Sequence, residues 1–106
     1  MRELYFENHH TGMIGPEHKY TLYVAYAADE EKNVIGHLSY TVLENSLYID
    51  YVEVKGELRG QGIGKALYTK LYELNKEYKF ERAGYYTENG SNIRMWFEKE
   101  ILKVAA

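Results

Sequence analysis

Residues 59 to 65 read Arg-Gly-Gln-Gly-Ile-Gly-Lys, three glycines in five positions followed by a cation. Glycines so spaced let a backbone turn sharply and gather several N–H groups with no side chain in the way. From Lys65 onward Leu67, Leu71, Leu74 and Tyr78 recur at helical spacing, so a helix opens where the glycines end. The first turn of a helix carries unpaired donors and partial positive charge, and phosphate is the ligand that such an end attracts. Two common phosphate loops do not fit. The pattern G-x-x-x-x-G-K-[ST] needs glycine where Arg59 stands and a hydroxyl where Ala66 stands. The pattern G-x-G-x-x-G, begun at Gly60, puts Lys65 on its last glycine. The chain has no cysteine, and His9, His10, His18 and His37 lack ligand spacing, so no metal centre is expected.

The elements that must position this loop follow from periodicity. Tyr20, Leu22, Val24 and Tyr26 alternate with smaller or polar residues, predicting a strand over 20–27. The polar run Asp29 to Asn33 turns the chain into a strand over Val34–Leu43. Glu44-Asn45-Ser46 reverses it into a third strand, Leu47–Val54. Beyond the helix, Arg82–Thr87 reads as a short strand. Ser91 then caps a last helix whose stripe is Ile93, Phe97 and Ile101, with Trp96 beside it. A strand–helix–strand crossover makes 47–54 and 82–87 parallel. The fold class is therefore α/β: a mixed sheet, with an antiparallel meander followed by a β-α-β crossover and a C-terminal helix. Residues 1–19 are the least legible. Arg2–Phe6 suits a short strand, and HHTGMIGPEH reads as turns.

The 106 residues suit one domain, 1–106, with ordinary hydrophobic and charged fractions. No apolar run reaches membrane-spanning length and MRELYFENHH has no secretory pattern, so a soluble, cytoplasmic protein is expected. The net charge of −3 argues against nucleic acid as a partner. That charge is split. Residues 1–55 carry four Lys/Arg against nine Asp/Glu, and residues 56–106 carry nine against seven. An anionic ligand on the second half and a cationic one on the first is the arrangement this favours.

Together with its flanks the loop reads VEVKGELRGQGIGKALYTKL, with R-x-x-G-x-G following a strand that ends Val52-x-Val54. This resembles the acetyl-CoA signature of the GNAT-type N-acetyltransferase superfamily, and the likeness runs over roughly residues 20–102. The resemblance implies that acetyl-CoA is the co-substrate and that Arg59, Gly60, Gln61, Gly62, Ile63, Gly64 and Lys65 form its pyrophosphate cradle. It implies that Val52 and Val54 pair their backbone with the pantetheine arm in the gap between the parallel strands. An N–H near Val52 or Glu53 would then hold the oxyanion. Asn89 or Asn92 answers to an asparagine of the family near the last helix. Lys65, Arg94 and Lys99 are cations within reach of the outer phosphates.

An acceptor amine must lose its proton to attack, since a lysine amine has a reference pKa of about 10.4. The resemblance places the base on the strand before the loop, where Asp50 and Glu53 stand, with Glu88 a third carboxylate. Strict alternation would put Tyr48, Asp50, Val52 and Val54 on one face and Ile49, Tyr51 and Glu53 on the other; a bulge would break that parity. The family's usual acid, a tyrosine early in the last helix, is replaced here by Phe97 in Trp-Phe-Glu-Lys. Tyr85, Tyr86 or water is left to protonate the thiolate. The family's helical insert between its first two strands looks absent, which implies an open acceptor site. The expected acceptor is a lysine on a protein with a basic surface. The alternatives are a non-catalytic CoA-binding or docking module, and an acetyltransferase acting on a small polyamine. A homodimer that completes the site is a further expectation.

Overall fold

The computed structural model describes residues 2–82 and 88–103, the side chains of 88–91 excepted. Five strands form one sheet in the order β1-β2-β3-β4-β5. They are β1 (Leu4–Ile14), β2 (Glu17–Tyr26), β3 (Gly36–Leu43), β4 (Ser46–Val54) and β5 (Lys79–Glu81). β1 through β4 pair antiparallel with their neighbours, and β5 lies parallel to β4. Helix α1 (Ile63–Leu74) crosses between β4 and β5, and α2 (Glu88–Glu100) follows β5. The α/β class, the meander and the crossover stand as the sequence implies.

The N-terminal region differs from its expected turns. HHTGMI belongs to β1, an 11-residue strand that takes in the expected short strand at Arg2–Phe6. It pairs along the length of β2, and β2 begins three residues before Tyr20. Only Gly15 and Pro16 separate the two strands, with Gly15 at φ 58. Proline cannot take positive φ, so this is a type II′ turn, whose twist matches that of the strands it joins. Thr11 is an extra residue opposite no partner, a bulge between His10 and Gly12. Weak apolar alternation hid this strand; a well-patterned partner holds it in place.

Both helices pack on the same side of the sheet. Leu22, Val24, Leu38, Tyr40, Val42, Leu47 and Ile49 project toward Ile63, Leu67, Tyr68 and Leu71 of α1 and Phe97 of α2. Tyr20 stacks on Tyr40 at 5.1 Å, and the Tyr40 hydroxyl donates to Asn8 Oδ1 at 2.9 Å. That pair gives the buried phenol a partner, as burial demands. The expected stripe over Leu67, Leu71, Leu74 and Tyr78 is cut short. α1 ends at Leu74, which is 44% exposed, and Asn75 caps the helix by donating from Nδ2 to the Leu71 carbonyl at 3.0 Å.

The strand expected at Arg82–Thr87 lies earlier, at Lys79–Glu81. It pairs with Ser46–Tyr48, so the parallel relation holds three residues upstream. Residues 83–87 of that expectation lie outside the described residues. Ser91 is not a cap, because α2 already begins at Glu88. Among the described residues no helix is long and apolar enough to cross a membrane.

Candidate active site

After Val54 the chain makes one short turn of 3-10 helix over Gly56–Leu58 and enters the glycine loop. Gly60 and Gly62 both sit at φ 82, where a side-chain-bearing residue is strained by about 1–2 kcal/mol. Gly62 is the N-cap of α1, with its carbonyl accepting from Ala66 N at 3.0 Å. No side chain caps this helix and no acidic residue lies in its first turn. The N–H groups of Ile63, Gly64 and Lys65 are thus the orphan donors of a positive helix end. Gly64 differs from the other two in having no positive φ, and a Cβ there would meet only Ile93 Cδ1 at 3.5 Å, an ordinary contact. Arg59 Nε donates to the Val54 carbonyl at 3.4 Å, tying the loop to the end of β4.

Against this loop lies a groove of about 340 Å³ lined by Arg2, Tyr26, Gln61 and Ile63. The Arg2 guanidinium stacks on the Tyr26 ring at 3.8 Å. Neither residue was singled out from the sequence, because only the long β1–β2 hairpin brings residue 2 beside residue 61. Lys65 lies over the Trp96 ring at 5.1 Å and so stays at the loop. Arg94 does not serve the outer phosphates. It is 1% exposed, with Nε on Glu98 at 3.0 Å and Nη2 on the Phe80 carbonyl at 3.1 Å. Lys99 is exposed near the far end of α2.

β4 and β5 pair over three residues only. Beyond Tyr48 the edge of β4 that continues from this pairing has no strand beside it among the described residues, and Val52 and Val54 lie along it. That is the gap a pantetheine arm would need.

The parity of β4 changes at Asp50. Tyr40 pairs with Ile49 while Ser39 pairs with Tyr51, so Asp50 is a bulge. Leu47 and Ile49 face the helices before it, and Val52 and Val54 do so after it. The expected grouping of Asp50 with Val52 and Val54 is therefore incorrect. Asp50 Oδ2 accepts from Thr41 Oγ1 at 2.5 Å, and that hydroxyl accepts from Lys19 Nζ at 2.8 Å, both on the face away from the helices. Tyr51 and Glu53 share that face, and the Tyr51 hydroxyl donates to Glu53 Oε2. Glu53's acceptance of that proton, with its negative charge, raises the Tyr51 pKa above the usual phenol value. The pairing of residues two apart on a strand was readable for Tyr51; Thr41 depends on register and was not.

Of the other expected site residues, Tyr85 and Tyr86 lie outside the described residues. Glu88 and Asn89 are in the first turn of α2, and their side chains lie outside the described set. Phe97 is fully buried, with ring centroids of Tyr68 at 5.0 Å and Phe80 at 5.5 Å, so this position is core. Glu98 holds Arg82 through two hydrogen bonds of 2.7 and 2.8 Å as well as Arg94. The Arg82 hydrogen bonds above all, with help from Arg94, bring the Glu98 carboxyl down to about 2. Among the described residues no group of three or more His, Asp or Glu is placed to hold a metal.

A mixed five-stranded sheet whose parallel pair is short, beside an uncapped, glycine-led helix, is an α/β fold built around one loop. The sequence model of the acetyltransferase (GNAT) family matches residues 1–99, and the chain belongs to that family. Solved structures agree on the fold. An IAA acetyltransferase from Bacillus cereus ATCC 14579 is 17% identical, with a TM-score of 0.62 over 92% of this chain and 75% of its own. An aminoglycoside acetyltransferase from an uncultured soil metagenomic sample is 19% identical, with a TM-score of 0.60 over 83% and 60%. A ribosomal-protein-alanine N-acetyltransferase from Brucella melitensis biovar Abortus 2308 is 21% identical, with a TM-score of 0.58 over 83% and 63%. The chain thus spans less than two thirds of the length of the last two. No curated protein sequence matches it.

Proposed function

We propose that this protein is an acetyl-CoA-dependent N-acetyltransferase that moves the acetyl group directly to an amine, with a protein lysine as its acceptor. The observation that carries this reading is the loop at Gly60–Lys65. Two glycines at positive φ present the bare N-terminus of α1 next to the gap between β4 and β5. When bound, acetyl-CoA supplies the activated acyl carbon: the amine nitrogen bonds to it, the carbon–sulfur bond breaks, and the thiolate takes a proton. The loop N–H groups, with Arg2 beside them, bind the diphosphate. The edge of β4 at Val52 and Val54, which no strand pairs among the described residues, orients the arm. Asp50 and Glu53, on the face away from the helices, are the carboxylates that accept the amine's proton, directly or through water.

Two observations favour a protein acceptor over a small amine. No α-helix precedes Ile63 among the described residues, so no helix walls in the open face. That face also carries carboxylates at the β4 bulge, which attract a cationic surface. A non-catalytic CoA-binding module is the second reading, favoured by the buried phenyl ring of Phe97 in place of a phenol.

The test is thermal unfolding with acetyl-CoA, CoA and ATP on the natural protein and on Gly62→Glu. At one hundred times its dissociation constant a ligand adds about 2.7 kcal/mol of stability. A rise in Tm with acetyl-CoA, absent in Gly62→Glu, is expected. No rise in the folded natural protein would sink both readings. A rise without turnover on lysine-rich protein would select the module.

A further inference from the structure

The face of the sheet away from the helices has no element packed on it among the described residues, and its side chains are ordered in a row. Strand register sets Glu7 opposite Tyr23, Tyr23 opposite His37, and His37 opposite Glu53. One straight line across four strands thus reads carboxylate, phenol, imidazole, carboxylate. The Tyr23 and His37 rings are 6.1 Å apart, and His9 and Tyr51 flank them at 5.5 and 5.7 Å. The Tyr51 hydroxyl donates to Glu53. At the other end of the row Glu7 Oε1 lies 3.2 Å from His9 Nε2.

The charge on this face is weighted toward carboxylates. Glu17 pairs with Lys19 at 3.8 Å and Lys79 with Glu81 at 3.5 Å, so these cancel. Lys32, at the rim, turns its ammonium onto the carbonyls of Ala27 and Asp29. Among the described residues Glu7, whose Oε1 lies 3.2 Å from His9 Nε2, Asp50 and Glu53 remain, against Lys32 at 5.4 Å from the Tyr5 ring and Arg59, whose charge reaches Tyr51.

We infer that this row is the docking surface for an extended, lysine- or arginine-rich segment of the acceptor protein. Four strands at about 4.8 Å spacing put the two end carboxylates about 14 Å apart. An extended chain covers that distance in about four residues. Basic residues four apart then pair with Glu7 and Glu53 while their stems cross the rings of Tyr23 and His37, where a cation also gains from the aromatic faces. The Glu53 end lies on β4, so a segment seated here brings its amines to the bulge at Asp50. The inference rests on the acetyltransferase reading for its purpose, although binding can be measured without turnover.

The probe is a nine-residue fluorescent peptide with lysines at its third and seventh positions, beside the same peptide with glutamine at both. Anisotropy is read without acetyl-CoA. The lysine peptide should bind the natural protein, weaken as salt is raised, and bind more tightly than the glutamine peptide. Glu7→Gln should weaken it about threefold to fivefold, the size of one exposed ion pair. Tyr23→Leu should weaken it as well. Acetyl-CoA should raise the Tm of both variants as it does that of the natural protein, since neither residue is near the loop. Equal binding of the two peptides, or affinity unchanged in both variants, overturns the inference. So does a stable dimer in sedimentation whose assembly excludes the peptide. Peptide binding with no response to acetyl-CoA would keep the docking surface and overturn the acetyltransferase reading instead.

Discussion

The two faces of the sheet are built from the same strands and have opposite characters. Toward the helices, Leu22, Leu38, Leu47, Leu67 and Leu71 are wholly buried and their neighbours are aliphatic or aromatic. On the other face the residues between them in sequence are Tyr, His, Thr, Ser and Glu. Thr21 and Thr41 are nonetheless only 8% and 2% exposed there, covered by the side chains beside them rather than by another element. Thr41 is bonded to Lys19 and Asp50. Stability therefore resides on one face, and the groups available for recognition and proton transfer on the other.

Truncation is the strongest way to break that contrast. Leu67→Ala removes a fully buried side chain from the centre of α1 and should cost about 3 kcal/mol. Tyr51→Phe, on a ring 52% exposed, should stay within about 0.5 kcal/mol. Urea unfolding of the pair measures both. Comparable losses would mean that the open face carries stability too, as it would if a second copy covered it.

A charged site on the helix side sharpens the comparison next. Glu98 holds Arg82 at the surface and Arg94 in the interior, so Glu98→Gln leaves the buried guanidinium without its counter-ion and should cost about 3 kcal/mol, the lower end for a broken buried pair because Glu98 is itself part-exposed. The pH dependence has a definite sign. The Glu98 carboxyl titrates at about 2 in the folded protein and near 4.5 when unfolded. Its contribution is present above about pH 4.5 and is lost as pH falls toward 2. Between those values the stability of the natural protein should fall more steeply than that of Glu98→Gln. Parallel pH profiles would show that the carboxylate is not held by its arginines.

The parts of this molecule that were legible in its sequence are those fixed by local chemistry. Val52-x-Val54, the glycines and the apolar stripe of α1 lie within about twenty residues, and each constrains its own backbone. The rest depends on partners distant in sequence. β1 contains His9, His10, Thr11 and Gly12, and is a strand because β2 pairs with it. β5 has three residues and is defined by its register with Ser46–Tyr48. The bulge at Asp50 has no local signature, yet it decides which carboxylates share a face with Glu53. Arg2 reaches the loop only through the geometry of the hairpin. The backbone of the glycine loop was thus readable, and the facing of the β4 carboxylates and the place of Arg2 were not.

The smallest expected effect separates the glycines themselves. Gly60 has open space around it but a φ of 82, so Gly60→Ala pays for backbone strain, about 1–2 kcal/mol, without any clash. Gly64 is already helical, and a Cβ there would meet Ile93 Cδ1 at 3.5 Å. Gly64→Ala should therefore gain up to about 1 kcal/mol, the helix-propensity difference between the two residues. Thermal unfolding without ligand measures both, and acetyl-CoA added to each then reports the cradle. If Gly64→Ala folds more stably and still responds to acetyl-CoA, the third glycine is needed neither for the fold nor for the approach of the diphosphate. If it folds more stably and no longer responds, the missing Cβ at Gly64 is space kept for the ligand, and the glycine loop is shaped for the cofactor at a cost to the helix.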